Sequence, residues 1–240
     1  MSLSEHLLTY GYWPSRQLSG QNPEPIRHPD EYSGSDVVNI ACTQTGLLPR
    51  QQRDLVEAWC SLLPELPAKT VLFSSKVSQK LFEAAVTNPR LEALSIKWSS
   101  IESIGALAEH PALTALYMGD SPSLTGLSHL SSLPKLCYLF VQGVRESADL
   151  AFASKLPNLI EFGLSGGSNP LRVESLEPLQ ALQSLAILWL VRVRPVSGGL
   201  MPLHGLAALK SFRTSLSLES DEVLALRNAI PGLQYLQPVW

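Results

Sequence analysis

Charge is scarce in this chain of 240 residues: only 16% of positions are Asp, Glu, Lys or Arg, and 18 cations against 21 carboxylates leave a net charge of −3. That balance argues against electrostatic binding of nucleic acid or an anionic membrane, which would need a basic face. Cysteine is also rare. Cys42, Cys60 and Cys137 are too few and too scattered for a disulfide framework, so a reducing cytoplasm is the expected compartment. No stretch approaches the roughly 20 unbroken apolar residues of a membrane span. The first ten residues, MSLSEHLLTY, lack a basic segment followed by an apolar one and a small-residue cleavage site, so no secretory signal is expected. No Asn-x-Ser/Thr sequon occurs, in keeping with an intracellular protein. The length suits one domain with a core of ordinary size.

Leucine is abundant: 44 of 240 residues, most of them recurring at fixed spacing. Residues 90–111 read RLEALSIKWSSIESIGALAEHP, 112–134 read ALTALYMGDSPSLTGLSHLSSLP and 135–157 read KLCYLFVQGVRESADLAFASKLP. Copies of 26, 24 and 24 residues follow at 158–183, 184–207 and 208–231. Each opens with x-L-x-x-L-x-L, whose anchors include Leu91, Leu94 and Ile96, then Leu136, Leu139 and Val141, then Leu185, Leu188 and Leu190. Apolar residues three apart close each copy, as in Leu127, Leu130 and Leu133. The period therefore switches from 2 to about 3.6 within a copy, which predicts a short strand followed by a helical turn or short helix. Pro89, Pro111, Pro134, Pro157 and Pro231 then stop the helical half.

This repetition resembles the leucine-rich-repeat family over residues 36–240, and the "LxxLxxLP-x-LxxLxL" junction looks most like its SDS22-like subclass. The resemblance implies an α/β solenoid, or horseshoe, with a concave parallel β-sheet and short convex helices. About eight to nine repeats are expected, since no copy buries its apolar face alone. Family repeats usually carry Asn or Cys shortly after the strand. Here that place holds Ser99, Ser121, Val144, Gly167 and Val193, so these loops must satisfy their backbone groups some other way.

The terminal copies are expected to be atypical. Residues 68–89 form a copy with Leu72 as its central anchor. Residues 36–67 form a longer one, with a strand at 37–42 and a helix at 49–63. Ser220 is expected to N-cap a helix running to Asn228, and Trp240 ends the chain. Residues 1–35, which hold Tyr10, Tyr12, Trp13 and Tyr32, read as an irregular cap over the first repeat, with a mobile tail as the alternative.

Catalytic and metal-binding patterns are sparse. The five histidines (His6, His28, His110, His129 and His204) are far apart, and none makes a metal-binding pattern, so no metal or cofactor is expected. Residues 163–167, GLSGG, fit G-x-S-x-G, which would make Ser165 a hydrolase nucleophile. That motif needs a turn straight into a helix, whereas here Ser168, Asn169 and Pro170 continue a loop. Turn glycines after a strand explain the match.

With the anchors inward, alternate strand residues face the concave surface. The expected central row is Ala41, Phe73, Ser95, Tyr117, Phe140, Gly163, Trp189, Arg213 and Gln237. It is flanked on one side by Tyr138, Glu161 and Tyr235, and on the other by Gln142, Ser165 and Val239. Trp98, Asp120, Arg192 and Leu216 lie just beyond. Aromatics are only 7% of the chain, yet Phe73, Trp98, Tyr117, Tyr138, Phe140, Trp189 and Tyr235 all map to this surface. Aromatic residues beside arginine are the usual composition of an interface hot spot. The expected protein-binding patch is Tyr117, Tyr138, Phe140, Glu161, Gly163, Trp189, Arg192 and Arg213, with Gly163 leaving a notch for a partner's side chain; partial coverage by loops or oligomer contacts is the alternative. The loops around 166–172 and 194–199 adjoin it on one rim.

These readings point to a non-catalytic scaffold, monomeric by itself, that binds another protein through its concave aromatic face. An inhibitor or toxin-neutralising immunity protein is one such role. An SDS22-like regulatory subunit of an enzyme, a self-assembling protein and, least favoured, a serine hydrolase are the alternatives.

Overall fold

The computed structural model describes residues 3–44 and 46–238. Two short helices, α1 (Glu5–Tyr10) and α2 (Tyr12–Leu18), precede the repeats. The repeats supply β1 (Val37–Ile40), β2 (Thr70–Phe73), β3 (Ala93–Ile96), β4 (Ala115–Met118), β5 (Tyr138–Gln142) and β6 (Glu161–Ser165). They continue with β7 (Leu171–Val173), β8 (Ile187–Val191), β9 (Val193–Pro195), β10 (Ser211–Thr214) and β11 (Tyr235–Pro238). Three further helices are α3 (Pro49–Leu62), α4 (Gln79–Val86) and α5 (Ser220–Ala229).

Among the described residues the main sheet has nine strands, all parallel, in the order β1-β2-β3-β4-β5-β6-β8-β10-β11. Consecutive repeats lie side by side, as a stack of right-handed coils requires. Register places like on like. Leu94, Leu116, Leu139, Phe162, Leu188 and Phe212 pair in one row across the sheet, and each is at most 1% exposed. Ile96, Met118, Val141, Leu164 and Leu190 make the next buried row. These rows and the leucines of the convex turns form one continuous core.

The convex side is mostly not α-helical. Between β3 and β10 it consists of 3₁₀ turns, among them Gly105–Leu107, Leu127–Ser132, Glu177–Ala181 and Met201–Gly205. A copy of 22–26 residues leaves few for the return, and the tighter 3₁₀ spacing fits short runs. True helices occur in the terminal copies: α3 and α4 at one end, α5 at the other. In α5 Ser220 is the first helical residue and Glu219 precedes it as the cap.

Phase differs from expectation in the second copy, and register in the first. Val71 and Phe73 pair with Leu94 and Ile96 and point into the core, while Leu72 pairs with Ser95 on the concave side. Residues 70–73 (TVLF) are all buried and carry no polar alternation, so the leucine was a false guide to phase. Strand β1 ends at Ile40, and Asn39, not Ala41, pairs with Leu72 in the central row. Val239 and Trp240 lie outside the described residues.

Serine locally does what Asn or Cys usually does in such repeats. Ser99 Oγ and Ser121 Oγ are 2.6 Å apart, Ser121 Oγ donates to Gly119 O, and the Ile101 N–H donates to Ser99 Oγ. Further along, β7 and β9 pair as a separate two-stranded parallel ladder. The copies at 158–183 and 184–207 thus spend residues after their main strands on mutual backbone pairing. At the copy junctions Asn88 Nδ2 donates to Leu66 O, and buried His110 bonds Asn88 O through Nε2 while its Nδ1 accepts the Leu113 N–H.

Candidate concave binding site

Strand alternation puts Leu72, Ser95, Tyr117, Phe140, Gly163, Trp189 and Arg213 in one row along the concave side. Their rings are in contact. Tyr117 stacks on Phe140 at 5.3 Å between centroids, and Phe140 meets Trp189 edge-on at 6.4 Å. The Arg213 guanidinium lies over the Trp189 ring at 4.8 Å. Offset and edge contacts of this kind, and a cation over an indole, are each favourable.

Gly163 leaves no notch. A Cβ there would stand 2.1 Å from Phe140 Cδ2, so the Phe140 ring itself fills the space over the glycine. Phe73 is in the core, as described. Arg192 is exposed at the rim in a left-handed turn (φ 55°) that joins β8 to β9, and its N–H donates to Ser215 Oγ. Trp98 is exposed beyond the end of β3, with Lys97 Nζ over its ring at 5.4 Å. Ser165 Oγ accepts the Gly167 N–H, and among the described residues no histidine bonds to it.

The concave row is not open. Residues 4–18 lie across it, which corrects the expectation of an irregular cap over the first repeat. Ser4 caps α1 by accepting the Leu7 N–H, and Gly11 (φ 73°) breaks the chain between α1 and α2. Leu8, 5% exposed, packs on Ala186 and Ile187. The Tyr12 ring stacks on Tyr138 at 4.5 Å, and Trp13 meets Tyr117 edge-on at 6.4 Å. The Tyr12 N–H donates to Glu161 Oε2 at 2.7 Å, Arg213 Nη2 donates to Thr9 O, and Tyr235 Oη donates to Glu5 Oε1. The segment after this arm reaches the first repeat. Ile26 pairs with Ile40 along the sheet edge, and Trp59 Nε1 donates to Arg27 O. Between arm and sheet remains a cavity of about 770 Å³ walled by Trp13, Pro23, Leu72, Lys97, Tyr117 and Phe140.

Electrostatics follow from this burial. Glu161 is 2% exposed, and burial pushes its carboxyl up to about 7. The Tyr12 N–H, the Trp189 indole and the Arg213 charge oppose that rise. Burial likewise lowers Arg213, with Tyr10 and Glu161 opposing, and lifts Tyr117 to about 12. Cys42, in the core, is pushed up to about 12, which leaves it a thiol rather than a nucleophilic thiolate. Among the described residues no helix is long and apolar enough to cross a membrane, and no group of three or more His, Cys, Asp or Glu is placed to hold a metal.

The site is thus an aromatic strip with one buried carboxylate and one buried guanidinium, which accept and donate hydrogen bonds to peptide backbone. Glu161 takes an N–H and Arg213 offers one to a carbonyl. Alternation of the strands made the strip legible in the sequence, but the arm that covers it was not.

The sequence matches no protein-family model and no curated protein. Solved structures are similar in fold. An internalin of Listeria monocytogenes matches 76% of this chain at 21% identity with a TM-score of 0.56, and this chain spans 49% of that one. A second internalin from the same species matches 84% of this chain and 80% of its own, at 14% identity and a TM-score of 0.52. With the parallel nine-stranded sheet, this likeness shows an α/β leucine-rich-repeat solenoid.

Proposed function

We propose that this chain is a non-catalytic protein-binding solenoid whose concave aromatic strip, centred on Tyr117, Tyr138, Phe140, Trp189 and Arg213, receives another protein. One observation carries the reading. The strip already holds peptide by the means a partner would use: ring stacking on Tyr138, an N–H to Glu161 and a carbonyl to Arg213. Half-buried aromatics beside arginine concentrate binding energy in protein interfaces. Ser165, with its hydroxyl engaged by the Gly167 backbone, gives no support to hydrolysis.

Within this reading an inhibitor or immunity role is the finer proposal, since occupying a partner's surface is what a binding solenoid does unaided. An SDS22-like regulatory subunit is the other form. A reducing compartment fits three free cysteines, of which Cys42 is buried. Monomeric behaviour is proposed for the isolated chain, because its own arm covers the aromatic strip.

The test is capture from the native source. A specific protein should be retained by the wild-type chain and lost with Phe140→Ala and with Trp189→Ala, each weakening binding by about 2 kcal/mol or more. Retention by both variants would place the binding surface elsewhere.

A further inference from the structure

The arm is built to fit the groove rather than merely laid on it. Gly11 is the clearest case. A Cβ there would come within 2.6 Å of Glu161 Oε1 and 3.1 Å of two Trp189 ring atoms, and its φ of 73° already disfavours other residues. Glycine lets the backbone bend over the carboxylate, and the next residue, Tyr12, then donates its N–H to Glu161 and stacks on Tyr138. One turn before, Leu8 fills the apolar seat of Ala186 and Ile187, and Thr9 offers its carbonyl to Arg213. Four neighbouring features of one short segment thus meet four separate features of the sheet: an apolar seat, a guanidinium, a carboxylate and an aromatic face.

Each of these contacts is also available to a segment in another molecule. Two are made by backbone groups of the arm, so they demand its shape more than its side chains. The joint to the repeats is a short segment, 19–25, containing Gly20, Pro23 and Pro25. It joins the arm to Ile26 on the first edge of the sheet.

Resting on the function proposed above, we propose that the concave groove is a receptor for a helix–glycine–helix peptide bearing leucine three residues before the glycine and an aromatic residue after it. Residues 4–18 are the intramolecular copy of that ligand. A partner protein binds by presenting a segment of the same kind, which displaces the arm. The apparent affinity for the partner is lowered by the fraction of chains whose arm is docked. The arm thereby sets a threshold: only a segment that fits the four seats together competes with one already tethered beside them.

The test needs no identified partner. The probe is a fluorescent synthetic peptide of residues 3–20, followed by anisotropy against the full chain. In the full-length double variant Gly11→Val/Tyr12→Pro, the first change collides with Glu161 and Trp189, and the second removes the N–H. The sheet is untouched, and the arm should be released, read as faster tryptic cleavage after Arg16. The double variant should bind the peptide at least tenfold more tightly than the wild-type chain does. A peptide carrying the same two changes should not bind, and Trp189→Ala in the double variant should weaken binding about tenfold. A released arm with no peptide binding overturns the proposal. So does equal binding by wild type and double variant, or an arm that stays protected. A wild-type chain that weighs as a dimer by light scattering, and a double variant that weighs as a monomer, would make a second copy the occupant and overturn the foreign partner. Because the assay uses only this chain's own segment, its failure is separate from that of capture from the native source.

Discussion

The Tyr12 N–H donates to Glu161 Oε2 across 149 residues of sequence, at 2.7 Å, with the carboxylate almost wholly withdrawn from water. A backbone donor is an adequate partner for an acid that is protonated or charged. Burial is the larger influence, and it holds the carboxyl near 7.

Stability should therefore depend on pH around Glu161. Its value in the folded chain lies above the ordinary carboxylate range, so its contribution is complete below about 4.5 and is lost as pH rises through about 7. The groups facing it are Tyr12, Trp189 and Arg213, with Tyr138 nearby. Thermal unfolding should show a loss on the order of 3 kcal/mol between pH 5 and 9 that Glu161→Gln abolishes. An unchanged pH profile in that variant would reassign the effect.

Gly163→Ala should be destabilising although the site is on the sheet surface. The new methyl meets Phe140 Cδ2 at 2.1 Å, so the ring must leave its stack on Tyr117. Overpacking of this kind costs about 1–3 kcal/mol, measurable by urea unfolding, and Phe140→Leu in the same chain should recover part of it.

Leu139→Ala removes a core side chain that is 1% exposed between Leu116 and Phe162. The cavity should cost about 2–5 kcal/mol in chemical denaturation. A value under 0.5 kcal/mol would mean that the repeats are not stacked as described.

In the main sheet from β3 onward the phase of the strands was legible because each copy places large apolar residues at fixed offsets, whereas β7 and β9 read only as loops. Leu94, Leu116, Leu139 and Leu188 need only pairing in register to make one core row. The reading failed where that signal stops. Residues 71–73 are apolar throughout, so Leu72 and Phe73 exchanged faces. Leucines three apart leave a helical turn and a short helix open for the convex halves, and 3₁₀ turns satisfy that spacing. The arm could not be placed at all. Its contacts reach Arg213 and Tyr235 across 204 and 230 residues, and no periodicity encodes such distances. The trace it did leave was Gly11 set among Tyr10, Tyr12 and Trp13, aromatics too many for a solvated tail.

A solenoid touches only its neighbours, and its two extremities ordinarily fray independently. Here Ile26 is sewn to the first strand while Glu5 and Leu8 are fastened near the last ones, at Tyr235 and Ile187. The arm is a bowstring across an arc. Loosening either extremity slackens the string for both, so amide exchange in β1 and β10 should quicken together when the string is cut.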